Sequence, residues 1–233
     1  MSLLILIGYI AAAILFIFKI NYVAIIVLNA AVILHIFRMF SPSTRAVTRL
    51  LNAKRAIGQG DIERAVKLVL DSIAINANEN NVNYILDQPG KNTEYYFKLA
   101  FILENRLKEN DTPFFRYFVT SIFYNIGNTE KVVEIMKEIP KKDLSLKNVR
   151  ILGAAFMELK KLKEALALFE EFEPEKPPFS SDGMAILLGI GQSYAEKKNI
   201  KKAKEYYTRI AQSNVKFPGL SILGDRIKEI EKQ

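Results

Sequence analysis

The chain has 233 residues but no cysteine, no tryptophan and a single histidine, His35. Without cysteine there can be no disulfide framework, no thiolate nucleophile and no cysteine-held zinc. One histidine inside an apolar run leaves nothing for a histidine-based triad elsewhere. The missing tryptophan removes one common interface anchor. Charge is scarce in one place only. Residues 1–40 carry just Lys19 and Arg38, so 31 of the 33 basic residues and all 25 acidic ones lie beyond them. There is no glycine-rich phosphate loop, and Asp61, Asp111, Asp143 and Asp182 fall at turn or cap positions where a structural role suffices. No enzymatic activity, cofactor, metal site or small-molecule substrate is therefore expected.

What is present begins with the apolar N-terminus. One helix over residues 3–38 would be roughly 50 Å long at ~1.5 Å per residue, against a hydrocarbon core of ~30 Å. A single span would leave a third of it in water. Two spans, about 3–18 and 22–38, fit better, with Lys19, Ile20 and Asn21 as the turn of a transmembrane hairpin within residues 1–40. No basic segment precedes the apolar run, and that run outlasts the core of a signal peptide, so cleavage is not expected. Gly8 and Ala12 offer a small-residue face, with Ala24, Ala30 and Ala31 opposite. Asn29 falls near mid-membrane, where packing glue is the plain role of an amide, and His35 near the membrane edge reads the same way.

After the second span come Arg38, Arg45, Arg49, Lys54 and Arg55, with no acid before Asp61. The positive-inside bias puts both termini and residues 41–233 in the cytoplasm, and Lys19 outside. The same basic residues can touch anionic lipid of the bilayer.

Residues 41–233 read as helices of 11–17 residues separated by short breaks, with no sustained strand alternation. Breaks such as GQGD (58–61), GNTE (127–130) and SNVKFPG (213–219) join helix-ending signals to caps. Ser41 or Ser43 starts the first helix after the membrane, and Asp111 before Pro113 and Asp182 before an apolar run mark later starts. The fold class is all-α.

A repeat is also present. LGAAF (152–156) aligns with IGQSY (190–194), each followed by Ala165 or Ala203, then four residues later by Phe169 or Tyr207, with Pro177 closing the first unit. This pattern resembles the tetratricopeptide repeat, whose two antiparallel helices need small residues at their crossing and aromatics around it. Ala65 and Val132 occupy the same tight position in two less regular units. The four positions are spaced by 67, 33 and 38 residues, which leaves room for a divergent unit at about 78–108. The resemblance covers most of 46–213 and implies a solenoid of about five helix pairs, with the C-terminal amphipathic stretch (218–233) as a capping helix. The whole layout resembles the HemY-type membrane repeat proteins, although their long loop between spans is missing here, so no specific role carries over.

Such arrays bind peptides on the face lined by the first helix of each unit. The resemblance places Phe114, Tyr117, Ser121, Tyr124 and Asn125 there, then Lys147, Arg150, Ala154 and Met157, then Gln192. Aromatics beside two cations suit a protein or peptide partner with apolar anchors and an acidic group. Packing between repeats is an equal alternative for Phe114 and Tyr117. Leu50 and Lys54 stand where a chaperone-tail clamp would need Lys and Asn, so that ligand is not expected. Nor is nucleic acid, because the basic runs are interspersed with acids. The expectation is a membrane-anchored adaptor or scaffold. The alternative is an assembly subunit of a larger membrane complex, held through its hairpin.

Overall fold

The computed structural model describes residues 3–17, 21–86, 93–109 and 111–232. Among these residues there are twelve α-helices, two short 3-10 helices and no strand. The chain divides into two compact units, residues 1–85 and 86–233.

In the first unit, α1 (Leu3–Ile17) packs against α2 (Asn21–Met39). The contact is made by small residues: Ala12, Ala24 and Ala31 are buried with Ile5, and a Cβ added at Gly8 would lie 2.9 Å from that of Ala31. Ala24 and Ala31 are seven residues apart and share a face; Ala30, one residue before Ala31, is turned about 100° away and is exposed, contrary to the expectation that it joins this contact. The window Tyr22–Met39, 18 residues, is long and apolar enough to cross a membrane. Helix α1 has 15 residues and is shorter than that measure. Of the expected turn, Lys19 and Ile20 lie outside the described residues, and Asn21 already begins α2.

Helix α3 (Pro42–Gly58) follows α2 after a two-residue break. Ser41 caps it, its Oγ accepting the backbone N–H of Thr44 at 3.2 Å, and Pro42 takes the first helical position, where a missing N–H costs nothing. Helix α4 (Ile62–Ile75) returns antiparallel to α3. Ser72, near its end, donates to the carbonyl of Ala46, near the start of α3, at 2.9 Å. Between them Ala46, Leu50, Ala53, Ala65 and Val69 are fully buried, so the helices approach over alanines.

The second unit contains α5 (Thr93–Leu107), α6 (Pro113–Asn125), α7 (Thr129–Met136), α8 (Leu146–Glu158), α9 (Leu162–Glu171), α10 (Ser181–Glu196), α11 (Ile200–Asn214) and α12 (Leu220–Glu231). Each helix packs on the next, and α6, α8, α10 and α12 also touch in series. The expected divergent unit at 78–108 has one α-helix, α5, preceded by a 3-10 turn (Glu79–Tyr84); residues 87–92 lie outside the described residues. Two expected starts shift by one or two residues. Thr112, not Asp111, caps α6, and Ser180, not Asp182, caps α10. Pro113 already holds the first helical position, so the cap must be its neighbour. Asp111 instead pairs with Arg116, and Asp182 sits in the first turn of α10, where its charge opposes the helix dipole.

One turn recurs four times. Gly60, Gly127, Lys160 and Lys198 have φ of 77°, 80°, 58° and 57°. In each case the next residue's N–H bonds back to the carbonyl five residues earlier: Asp61 to Ala56, Asn128 to Phe123, Lys161 to Phe156 and Asn199 to Tyr194, at 2.8–3.0 Å. That is a Schellman helix end. The residue that closes it is also the N-cap of the following helix. Five residues after each left-handed position stands a fully buried small residue: Ala65, Val132, Ala165 or Ala203. The turns thus carry the same 67, 33 and 38 spacing as the sequence repeat.

Candidate partner-binding face

Helices α8, α10 and α12 approach closely where bulky residues of neighbouring helices fit against their glycines. A Cβ at Gly153 on α8 would lie 2.2 Å from the Phe169 ring, and one at Gly189 on α10 would lie 2.5 Å from it. Gly191 would meet Leu223 of α12 at 2.8 Å, and Gly224 would meet Tyr207 at 3.0 Å. These close approaches set α8, α10 and α12 side by side.

The expected site residues divide on this framework. Tyr117 and Ser121 are buried, with Ser121 Oγ donating to the Tyr117 carbonyl at 2.7 Å, so neither is open to a partner. Residues 117 and 121 are four apart and share the inward face of α6, much of whose surface is enclosed. Phe114 is half-buried and packs 6.3 Å from the Phe118 ring. Both rings belong to α6, so this contact lies within one helix and not between repeats. Tyr124, Asn125, Lys147, Ala154, Met157 and Gln192 are half-buried, and Arg150 is exposed.

The electrostatics differ from a cationic patch. Arg150 lies 3.5 Å from Asp182. Tyr124 is held protonated beyond its ordinary range, first by burial and then by the charge and hydrogen bond of Glu158, with Arg150 opposing. One step along, Arg226 of α12 pairs with Glu196 of α10 at 3.3 Å. Arg150 and Arg226 therefore each have an acid of α10 beside them, and Glu158 adds an acid on α8.

Between α8, α10 and α12 lies a cleft of about 310 Å³ lined by Met157, Gln192, Glu196, Ile222, Leu223 and Arg226. Met157 and Gln192 were legible from the repeat. Ile222, 67% exposed, and the pair Glu196 and Arg226 were not, although Glu196 stands four residues from Gln192 on the same helical stripe. A second cleft of about 480 Å³ lies against Phe179, Met184 and Arg209. Its arginine is already committed, donating to Glu173 and to the carbonyl of Pro174.

In the first unit, Arg38, Arg45, Arg49 and Arg55 are exposed and Lys54 is half-buried. Arg55 reaches Asn52 Oδ1 at 3.5 Å, and no acid pairs with Arg38, Arg45 or Arg49 among the described residues. His35 is half-buried on α2, with Nδ1 enclosed and unbonded. Among the described residues no group of three or more His, Asp or Glu side chains is placed to hold a metal ion. The sequence matches no protein-family model and no curated protein.

Proposed function

We propose that this chain is a membrane-anchored, tetratricopeptide-like adaptor that binds a protein or peptide partner and organises a complex at the cytoplasmic membrane surface. The anchor is the α1–α2 hairpin as two spans, the first a short one of 15 residues accommodated by local thinning of the bilayer. The unpaired arginines that follow α2 support a cytoplasmic position for the rest of the chain. The observation that carries the repeat reading is the coincidence of four identical turns with four buried small residues at one spacing. Chance placement of turns would not keep that register.

The partner sits on the face of α8, α10 and α12, where the half-buried Met157 and Gln192 and the exposed Ile222 surround a cleft with a paired charge at its rim. Such a rim selects by geometry more than by net charge. An apolar side chain of the partner fills the cleft, and its backbone or polar groups meet Gln192 and the Glu196–Arg226 pair.

The test is photocrosslinking from positions 157, 192 and 222, compared with the exposed outer positions Lys163 and Glu205. Adducts confined to the inner positions support the reading. Equal labelling from both sets rejects this face as the partner site.

A further inference from the structure

Asn29 stands on the side of α2 opposite its contact with α1. Ala24, Ala31 and the half-buried Leu28 and His35 form the side turned to α1, and Asn29 is about 160° of helix rotation from Ala31 at ~100° per residue. It is exposed, and among the described residues nothing bonds its amide. It also lies near the middle of the 18-residue apolar window, about 2 Å from its centre at ~1.5 Å per residue. If α2 is a span, this amide faces acyl chains that can offer it neither donor nor acceptor.

The surroundings of Asn29 have the register of a helix–helix seam. Tyr22, Ile26, Asn29, Ile33, Ile36 and Phe40 are spaced by four, three, four, three and four residues, the heptad pattern of a left-handed pair. The five apolar members are 48–87% exposed. One polar residue inside such a seam is the usual device that fixes register and partner number.

We propose that this seam is covered by a second copy of the chain, in a parallel two-fold dimer with Asn29 bonded to Asn29. Two copies insert with the same orientation, so their Asn29 residues lie at the same depth. A primary amide is both donor and acceptor, and therefore complements itself across a two-fold axis. No unrelated span is guaranteed an amide at that depth. The dimer would place two partner-binding units on one membrane patch, so a divalent partner would be held with avidity. The inference rests on the reading of α2 as a membrane span.

The absence of native cysteine makes the test direct. In the full-length protein in its membrane, Ile26→Cys and Ile33→Cys are oxidised with a copper–phenanthroline catalyst, alongside Val23→Cys and Leu34→Cys as exposed positions off the seam. Dimer bands from 26 and 33 and not from 23 and 34 are expected. Asn29→Leu in the Ile33→Cys background should weaken dimerisation on the order of three- to thirtyfold, and Asn29→Gln should largely keep it. Bands of equal strength on both faces, no bands, an undiminished Asn29→Leu variant, or adducts to a different polypeptide would each overturn the proposal. Alkaline extraction separates the two levels. A chain that stays in the membrane without dimerising defeats the dimer alone, whereas a chain that washes off defeats the span and the dimer together.

Discussion

The ring of Phe169 lies so close to Gly153 that a Cβ at position 153 would sit 2.2 Å from Cε1 and Cζ. The same ring fills the space over Gly189 of the next helix. One aromatic thus wedges α8, α9 and α10 together, and both glycines are needed for it. Glycine inside a helix ordinarily costs about 1 kcal/mol relative to alanine, so its use at position 153 is explained by this contact.

Gly153→Ala should therefore destabilise, by about 1–3 kcal/mol, despite its better helix propensity. Phe169→Leu, which shortens the wedge, should recover part of that loss. Chemical denaturation of the single and double variants measures the coupling; strict additivity would show that the two positions do not share the contact.

The four turns make opposite predictions for glycine and lysine. Gly127→Ala places a Cβ at φ 80° and should cost about 1 kcal/mol, though nothing else lies within 4 Å of it. Lys160→Gly and Lys198→Gly relieve the same strain at φ 58° and 57° and should each raise Tm by about 2–4 °C, less whatever the more flexible unfolded chain takes back. A thermal melt that falls for both lysine variants would refute the strain argument.

Alkaline stability should depend on Tyr206. Burial first, and then its hydrogen bond to Glu173 at 2.9 Å, hold its phenol well above the usual 10.0. A folded pKa raised in this way contributes stability that is complete below the unfolded value of 10.0 and is lost as pH rises towards the folded one. Unfolding free energy should therefore decline above about pH 10. Tyr206→Phe should flatten that decline while lowering stability near neutral pH through loss of the bond to Glu173. An unchanged slope between pH 10 and pH 11 in the variant would show that another group governs it.

Much of this fold could be read from residue order because its determinants are local. Ser41 and Asp61 cap the helices they precede, and the alanine and glycine spacing marks the hairpins. Caps failed to be legible only where two candidates stood together, at Asp111 and Thr112 and at Ser180 and Asp182. Pro113 at the first helical position decides for Thr112, and Ser180 takes the N–H of Gly183. The candidate face was harder. Tyr117 and Ser121 carry suitable side chains, but α6 turns that stripe inward, while Ile222 and Arg226 join the face from α12, beyond the recognised repeats.

Residue order by itself determined the all-helical class, the turns at Gly60 and Gly127 and the scarcity of charge in the apolar run. Each depends on interactions within a few residues or on composition. Only tertiary structure decided that Phe169 serves two glycines on different helices, that acids on α10 answer arginines on α8 and α12, and that Asn29 points away from α1. Those facts depend on which faces meet, and a face is chosen by the partner helix it packs against.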